Sequence, residues 1–198
     1  MLLAEVNHRI ANSLGLVVAL IRMQASVTSD QATIDALQET QMRINAIASV
    51  HRRLYTSHEV GTVQLDEYLD NLLKELEASM QDETRPHSVR LTCDALNIAT
   101  DKVITLGLIV SELVINAFKY AYGEDVSGEV RVLVQRAEGG RLLLAVEDDG
   151  CGFEPGAAPR GTGLGTRLLA AMATSLKTEI AYDPDRSGTR ATLIFDAD

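Results

Sequence analysis

Apolar residues recur every three or four positions from Leu2 to Thr56, then give way to short alternating runs. The first pattern predicts two helices, broken at SVTSDQAT, Ser26 to Thr33. Asp30 stands where an N-cap would open the second helix. Within that helix Ile44, Ile47, Val50 and Leu54 are spaced three, three and four apart and form one stripe. Two long helices joined by a short turn make a helical hairpin. Such a hairpin cannot bury both of its apolar faces alone, so two copies are expected to pair into a four-helix bundle.

The heptad-like pattern stops near Ser57 to Val63, which sets the expected domains at 1–62 and 63–198. Beyond it, LDEYLDNLLKELEASM predicts an amphipathic helix with Asp66 and Glu67 in its first turn, favourable to the helix dipole. SVRLTCD alternates like a strand, and DKVITLGLIVSELVINAFKYAYG predicts a helix ended by Gly123 as C-cap. EVRVLVQRAEGGRLLLAVEDDG predicts a hairpin turning at Gly139 and Gly140. GTGLGTRLLAAMATSL predicts a glycine-rich turn entering a helix, and two last strands flank a turn at Pro184 to Gly188. Helices followed by strand pairs, without regular strand–helix–strand alternation, predict an α+β fold with helices on one sheet face.

Composition narrows the function classes. Of 198 residues, 46% are hydrophobic and 23% charged, enough to bury a core. A net charge of -10 argues against general binding to nucleic acid or anionic membranes, since no basic excess exists to neutralise phosphates. A nucleotide site stays open, because backbone amides and a helix N-terminus hold phosphate without net positive charge. Cys93 and Cys151 form no CxxC pair, MLLAEVNH lacks the build of a signal peptide, and Leu14 to Ile21 is too short to cross a bilayer. The expectation is a cytoplasmic chain with no membrane segment.

Three stretches carry chemistry. In DDGCGF, Asp148 ends an apolar strand and is followed by Gly150 and Gly152, so a carboxylate can accept from a base amine while the backbone comes close to the ring. By itself this hexapeptide equally describes an ordinary turn. GTGLG, Gly161 to Gly165, precedes a helix, and its glycines free the backbone to point amides at phosphates. In SELVINAFKYA, Glu112, Asn116 and Lys119 fall at i, i+4 and i+7 on one helix face, apart from Leu113, Val114 and Phe118. That stripe suits a Mg²⁺–phosphate group, with Asn116 as oxygen ligand and Lys119 as charge partner; taken alone it also describes a solvated polar face.

In this order and spacing the pieces resemble the ATP-binding domain of the GHKL superfamily, which includes histidine kinases, gyrase-type ATPases, Hsp90 and MutL. ELVINAFKYA resembles the N-box, DDGCGF the G1 box, GTGLG the G2 box and SGT, with Thr189, the terminal threonine motif. The resemblance spans about Leu65 to Phe195 and implies a Bergerat-type α/β sandwich that binds ATP with Mg²⁺. It further implies that Asp148 holds the adenine amine, Gly150 and Gly152 shape the base pocket, and Thr189 assists there. Asn116 would coordinate Mg²⁺, with Glu112 and Lys119 beside it, and Gly161, Gly163, Leu164 and Gly165 would form the phosphate loop. Only EPGAAPR separates the two glycine boxes, a short lid for this family.

An ATP site changes the reading of His8. At about 100° per residue, Leu3, Ile10, Leu14, Val17 and Ile21 cluster on one side of the first helix, with His8 roughly 130° away beside Glu5, Asn12, Gly15 and Arg22. A neutral imidazole is a good nucleophile near pH 7. Glu5, one turn before, could hold or accept its proton; Arg9 could steady the transferring phosphoryl group; Asn12 could orient water for hydrolysis. EVNHRIANSL resembles the phosphoacceptor box of sensor histidine kinases with an H-R-x-x-N pattern, related to the HWE group. RINAIASVHRRLY resembles the second helix of their dimerisation hairpin. Relatives commonly carry Lys at the position of Ala11, and the chain has no Trp, so the HWE signature itself is absent.

The resemblance therefore implies a homodimeric histidine kinase core that phosphorylates His8 from Mg-ATP and passes the group to an aspartate of a response regulator receiver domain. An upstream sensor domain, or a separate sensor protein, is expected to supply the input. The short lid and Ala11 keep a second reading open, a phosphatase or phosphotransferase with weak autokinase activity in which Asn12 does the work. An anti-sigma serine kinase would lack the hairpin, and a pure scaffold would not need the nucleotide boxes.

Overall fold

The protein, seen as a computed structural model, is described for residues 2–54, 61–80, 87–123, 126–152 and 163–197, without the side chains of 2–9, 11, 39, 46–47, 49–54 and 164. The chain divides into two compact units, Met1–Gly61 and Thr62–Asp198.

The first unit is a helical hairpin of α1 (Leu2–Val27) and α2 (Gln31–Leu54). Asp30 opens α2: its Oδ2 accepts the Thr33 amide at 3.0 Å and also the Thr33 hydroxyl, satisfying a free amide of the first turn. These bonds hold the Asp30 carboxyl below its ordinary pKa. On α1 the residues turned toward α2 are Leu14, Val18, Ile21 and Ala25, of which Val18 is buried. The single apolar cluster expected from sequence is thus split. Val17 and Ile10 stay exposed, and Leu16, Leu20, Met23 and Val27 form a separate strip at spacings of four, three and four; Leu16 is 66% exposed and Val27 77%.

The second unit is a two-layer sandwich. β1 (Thr62–Gln64) pairs antiparallel with β3 (Asn97–Ala99) in a small sheet, and α3 (Leu65–Met80) follows β1 directly. A five-stranded sheet has the order β2 (His87–Cys93), β4 (Gly128–Arg136), β5 (Arg141–Glu147), β7 (Arg190–Asp196), β6 (Ala181–Tyr182). The β4–β5 turn runs through Gly139 and Gly140, both at positive φ as the glycine pair suggested. β2 runs parallel to β4, joined by a crossover through α4 (Thr100–Tyr120), so one strand–helix–strand unit is present that the sequence reading did not foresee.

Val130, Val132, Val134, Leu142, Leu144, Val146, Ala191, Leu193 and Phe195 are buried on one sheet face, the face covered by helices. Each of the valine, leucine and phenylalanine side chains contributes about 1.5–3 kcal/mol on leaving water if fully buried. Against them lie α3, through Leu65, Leu69, Leu72 and Leu76, and α4, which is buried along most of its circumference. α3 and α4 meet closely at Gly107, where a Cβ would overlap the Tyr68 hydroxyl. α4 is long and apolar enough to cross a membrane, but two thirds of that stretch is buried inside the unit, which makes it a core helix. α5 (Leu164–Ser175) completes the helical layer, packing beside α4.

α4 ends three residues before Gly123, the C-cap expected from sequence, with Ala121 as its right-handed cap. The reason is tertiary. The Ala121 carbonyl accepts the Cys151 amide at 2.8 Å, and the Tyr122 ring turns under Gly128, its hydroxyl donating to the Glu129 carbonyl at 3.0 Å. His87 opens β2 buried and stacked against Phe118 at 5.2 Å and Tyr122 at 5.4 Å. His58 lies outside the described residues.

Candidate functional site

The C-terminal ends of β5 and α4 and the start of β7 converge at Asp148. The residue follows the last residue of β5 and is 4% exposed. Its Oδ1 accepts two backbone amides, Gly150 N–H at 2.9 Å and Thr189 N–H at 3.1 Å. Its own amide donates to the Thr189 carbonyl at 2.9 Å, closing a reciprocal pair between the two segments. Among the described residues its side-chain bonds fall on Oδ1, and Oδ2 keeps its capacity to accept.

Glycine is required around this carboxylate for want of space. A Cβ on Gly150 would overlap the Ala121 carbonyl oxygen, and one on Gly188 would overlap the Asp148 carbonyl oxygen. Gly188 also sits at φ +108°, where side chains are strained. Gly152, at φ +81°, lies against Gly188. Backbone packs too closely at Gly150 and Gly188 to admit side chains beside the one buried carboxylate, chemistry that can meet an exocyclic amine on a flat ring.

α4 contributes the polar side chains. Asn116 is half-buried, and no hydrogen bond engages its side chain among the described residues. Lys119 is also half-buried and has a partner. Glu112 departs from the expected polar stripe: it is 1% exposed, enclosed by the helical layer and sheet. Burial, and then the Glu112 carboxylate, push the Tyr182 phenol above its ordinary pKa. Only Asn116 and Lys119 of the three are partly accessible.

α5 begins at Leu164 after Gly163, which caps it in the left-handed conformation at φ +67°; Gly165 is buried in the first turn. The first-turn amides of such a helix lack intrahelical partners, which favours an anion there. Gly161 lies outside the described residues, as does the side chain of Leu164. The backbone at Glu5, His8 and Arg9 is helical within α1, their side chains lying outside the described residues; Asn12 is exposed on the same helix. Among the described residues no cluster of three or more His, Cys, Asp or Glu could hold a metal. A Mg²⁺ ion at Asn116 would thus need oxygens from a bound phosphate, the usual habit of that ion.

Sequence reading missed the charged lattice behind Asp148. Arg131 on β4 makes a two-pronged bond to Asp149, both arms at 2.7 Å, and Glu147 lies between Arg131, Arg186 and Arg190. The signal was present only as charged residues at alternate strand positions, whose partners depend on register.

Comparison with known proteins gives two family matches. Residues 5–80 match a family described as Histidine kinase, and residues 101–198 one described as Histidine kinase-, DNA gyrase B-, and HSP90-like ATPase. The sensor histidine kinase PdtaS of Mycobacterium tuberculosis is 30% identical over 173 residues, covering 86% of this chain and 34% of the relative. Blue-light-activated histidine kinase 2 of Erythrobacter litoralis is 26% identical over 193 residues, covering 94% of this chain and 54% of the relative. The chain therefore spans about a third to a half of the length of these curated relatives. Among solved structures, the histidine kinase domain of the Erythrobacter litoralis EL346 protein superposes with TM-score 0.69 at 25% identity, covering 98% of this chain and 93% of that one.

Proposed function

The chain belongs to the histidine kinase family, and from that premise we propose that it is the core of a two-component signalling kinase. It takes the γ-phosphoryl group of ATP onto His8 and passes it to an aspartate of a response regulator. The observation that carries the nucleotide half of this reading is Asp148, a buried carboxylate with one oxygen fastened by the Gly150 and Thr189 amides and the other left to accept. An adenine amine supplies the matching donor.

In the proposed reaction a ring nitrogen of His8 attacks the γ-phosphorus, a P–N bond forms and the P–O bond to ADP breaks. Glu5 takes or holds the proton on the other ring nitrogen, and Arg9 balances charge on the moving phosphoryl group. Asn116 would offer its amide oxygen to a Mg²⁺ ion, which would supply charge neutralisation at the ATP phosphates, and Lys119 adds positive charge beside them. Gly163 and Gly165, with Gly161 by sequence, add no side chains to the phosphate loop, and Thr189 closes the base site.

Dimerisation is proposed through α1. Leu16, Leu20, Met23 and Val27 present an uncovered apolar strip within the hairpin unit, which fits pairing into a four-helix bundle. Input is proposed to come from an upstream sensor domain or separate sensor protein. A cytoplasmic setting suits two cysteines, Cys93 and Cys151, that are both free thiols.

The test is incubation with γ-labelled ATP and Mg²⁺, alongside His8→Ala and Asn116→Ala. The kinase reading predicts label on the unaltered chain and on neither variant. No label, together with removal of phosphate from a phosphorylated regulator, would favour the phosphatase reading, which the exposed Asn12 beside the acceptor keeps in view.

A further inference from the structure

Asp148 is flanked by two carboxylates that point away from the helical layer, and the segment that binds it is flanked by two guanidiniums. Glu147 and Arg190 are directly paired across β5 and β7, and Arg131 and Glu147 across β4 and β5. Glu147 Oε1 lies 3.0 Å from Arg190 Nε, and its Oε2 accepts from Arg186 Nη2 at 2.9 Å, with Arg131 Nε 3.6 Å away. Arg131 then reaches past the strand end to Asp149 with both terminal nitrogens at 2.7 Å. The Asp149 amide donates to the Tyr122 hydroxyl at 3.4 Å, tying the same peptide to the end of α4.

This arrangement differs from scattered surface ion pairs, which contribute little. The Glu147 side chain is only 15% exposed, and its three arginines are 28–32% exposed, so the charges are partly withdrawn from water. The Arg131–Asp149 contact has the two-pronged geometry that fixes orientation as well as distance. The two arginines from the β6–β7 side, Arg186 and Arg190, stand on either side of Gly188 and Thr189. Arg186 donates to Glu147, the residue just before Asp148, and Arg190 pairs with it by charge, its Nε making no hydrogen bond among the described residues. Removing Glu147 leaves three guanidiniums without their common counter-charge, and the next carboxylates along the chain are Asp148 and Asp149.

We propose that Glu147 is a positioning residue for the nucleotide site: through Arg186 and Arg190 it clasps the Gly188–Thr189 segment to the end of β5, holding the Thr189 amide on Asp148. Arg131 extends the clasp to Asp149 and so to the Gly150 amide. The inference rests on the ATP reading of Asp148 for its functional consequence, though its structural part does not.

Two readouts on the full chain test it, with Glu147→Gln and Glu147→Asp. Hydrogen exchange of the Gly150 and Thr189 amides is measured without nucleotide, and ATP affinity by titration, both well below the unfolding transition. Glu147→Gln is expected to lower protection of both amides and weaken ATP binding roughly tenfold, with Glu147→Asp restoring part of each. A lowered melting temperature with amide protection and affinity unchanged would overturn the proposal, since it would mean a purely structural role. Should Glu147→Gln fail to fold, Arg186→Gln removes one arm only, and the same two readouts must shift in the same direction; unchanged values sink the proposal. If the unaltered chain binds no ATP, the nucleotide reading falls, and amide protection alone still decides whether the clasp exists.

Discussion

Gly150 lies so close to Ala121 that a Cβ on the glycine would overlap the alanine's carbonyl oxygen, which itself accepts the Cys151 amide at 2.8 Å. The end of the α4 helix and the loop after β5 are thereby packed backbone to backbone. Gly150→Ala must push them apart. The expected cost is about 1–3 kcal/mol, measured as a shift in denaturant midpoint for the second unit, together with loss of ATP binding. An alanine variant with unchanged midpoint and affinity would mean that this contact does not shape the site.

Asp148→Asn tests the carboxylate itself. The amide can keep its oxygen on the Gly150 and Thr189 amides, which places its NH₂ where an adenine amine would come. Donor would then face donor. ATP affinity is expected to fall about 100-fold with the fold intact by circular dichroism, and calorimetric titration would read it.

The two thiols should differ in reactivity. Burial, followed by the Asp66 and Asp94 carboxylates, pushes the Cys93 thiol up to about 12, whereas Cys151 is exposed. At about pH 8, iodoacetamide should alkylate Cys151 and spare Cys93, since only the thiolate reacts. Because Cys151 follows Gly150, saturating ATP should slow its alkylation. Peptide mass spectrometry reads both outcomes.

Acid should release the Arg131–Asp149 pair. Its guanidinium holds the Asp149 carboxyl below the ordinary carboxylate range. A carboxyl with a depressed folded pKa adds stability that is present above its unfolded pKa of about 3.9 and is lost as pH falls through the folded value. The stability gap between the unaltered chain and Arg131→Gln should therefore be flat from about pH 7 to about pH 5 and close below about pH 4. Asp149 is well exposed, so the gap is small. A gap that widens on acidification would contradict the pairing.

Leu20→Glu places a charge in the middle of the uncovered α1 strip. If two copies pair there, each dimer loses two buried leucines, and the dissociation constant should rise at least about tenfold. Sedimentation velocity of both forms over a concentration series gives the answer.

Local signals were the legible ones. Asp30 as helix cap, the Gly139–Gly140 turn and the helix after Gly163 each depend on a few adjacent residues, and each could be read directly. Relations set by strand register could not. The parallel pairing of β2 with β4, the small β1–β3 sheet, and the meeting of Arg131, Glu147, Arg186 and Arg190 join residues tens of positions apart. Burial misled in two places. Spacing alone puts Glu112 in an accessible stripe, but α4 is enclosed nearly all round. Spacing puts the apolar positions of α1 in one cluster, yet an antiparallel partner helix covers only part of a helix so apolar.

Where the phosphoryl group ends up decides between a histidine kinase and its rivals. After incubation with Mg²⁺ and ATP, the chain should be digested at alkaline pH and its phosphopeptide mapped by mass spectrometry. A single acid-labile phosphoryl group is expected on His8, absent from Asp148→Asn. An acid-stable modification, or phosphate on any residue other than His8, would contradict it.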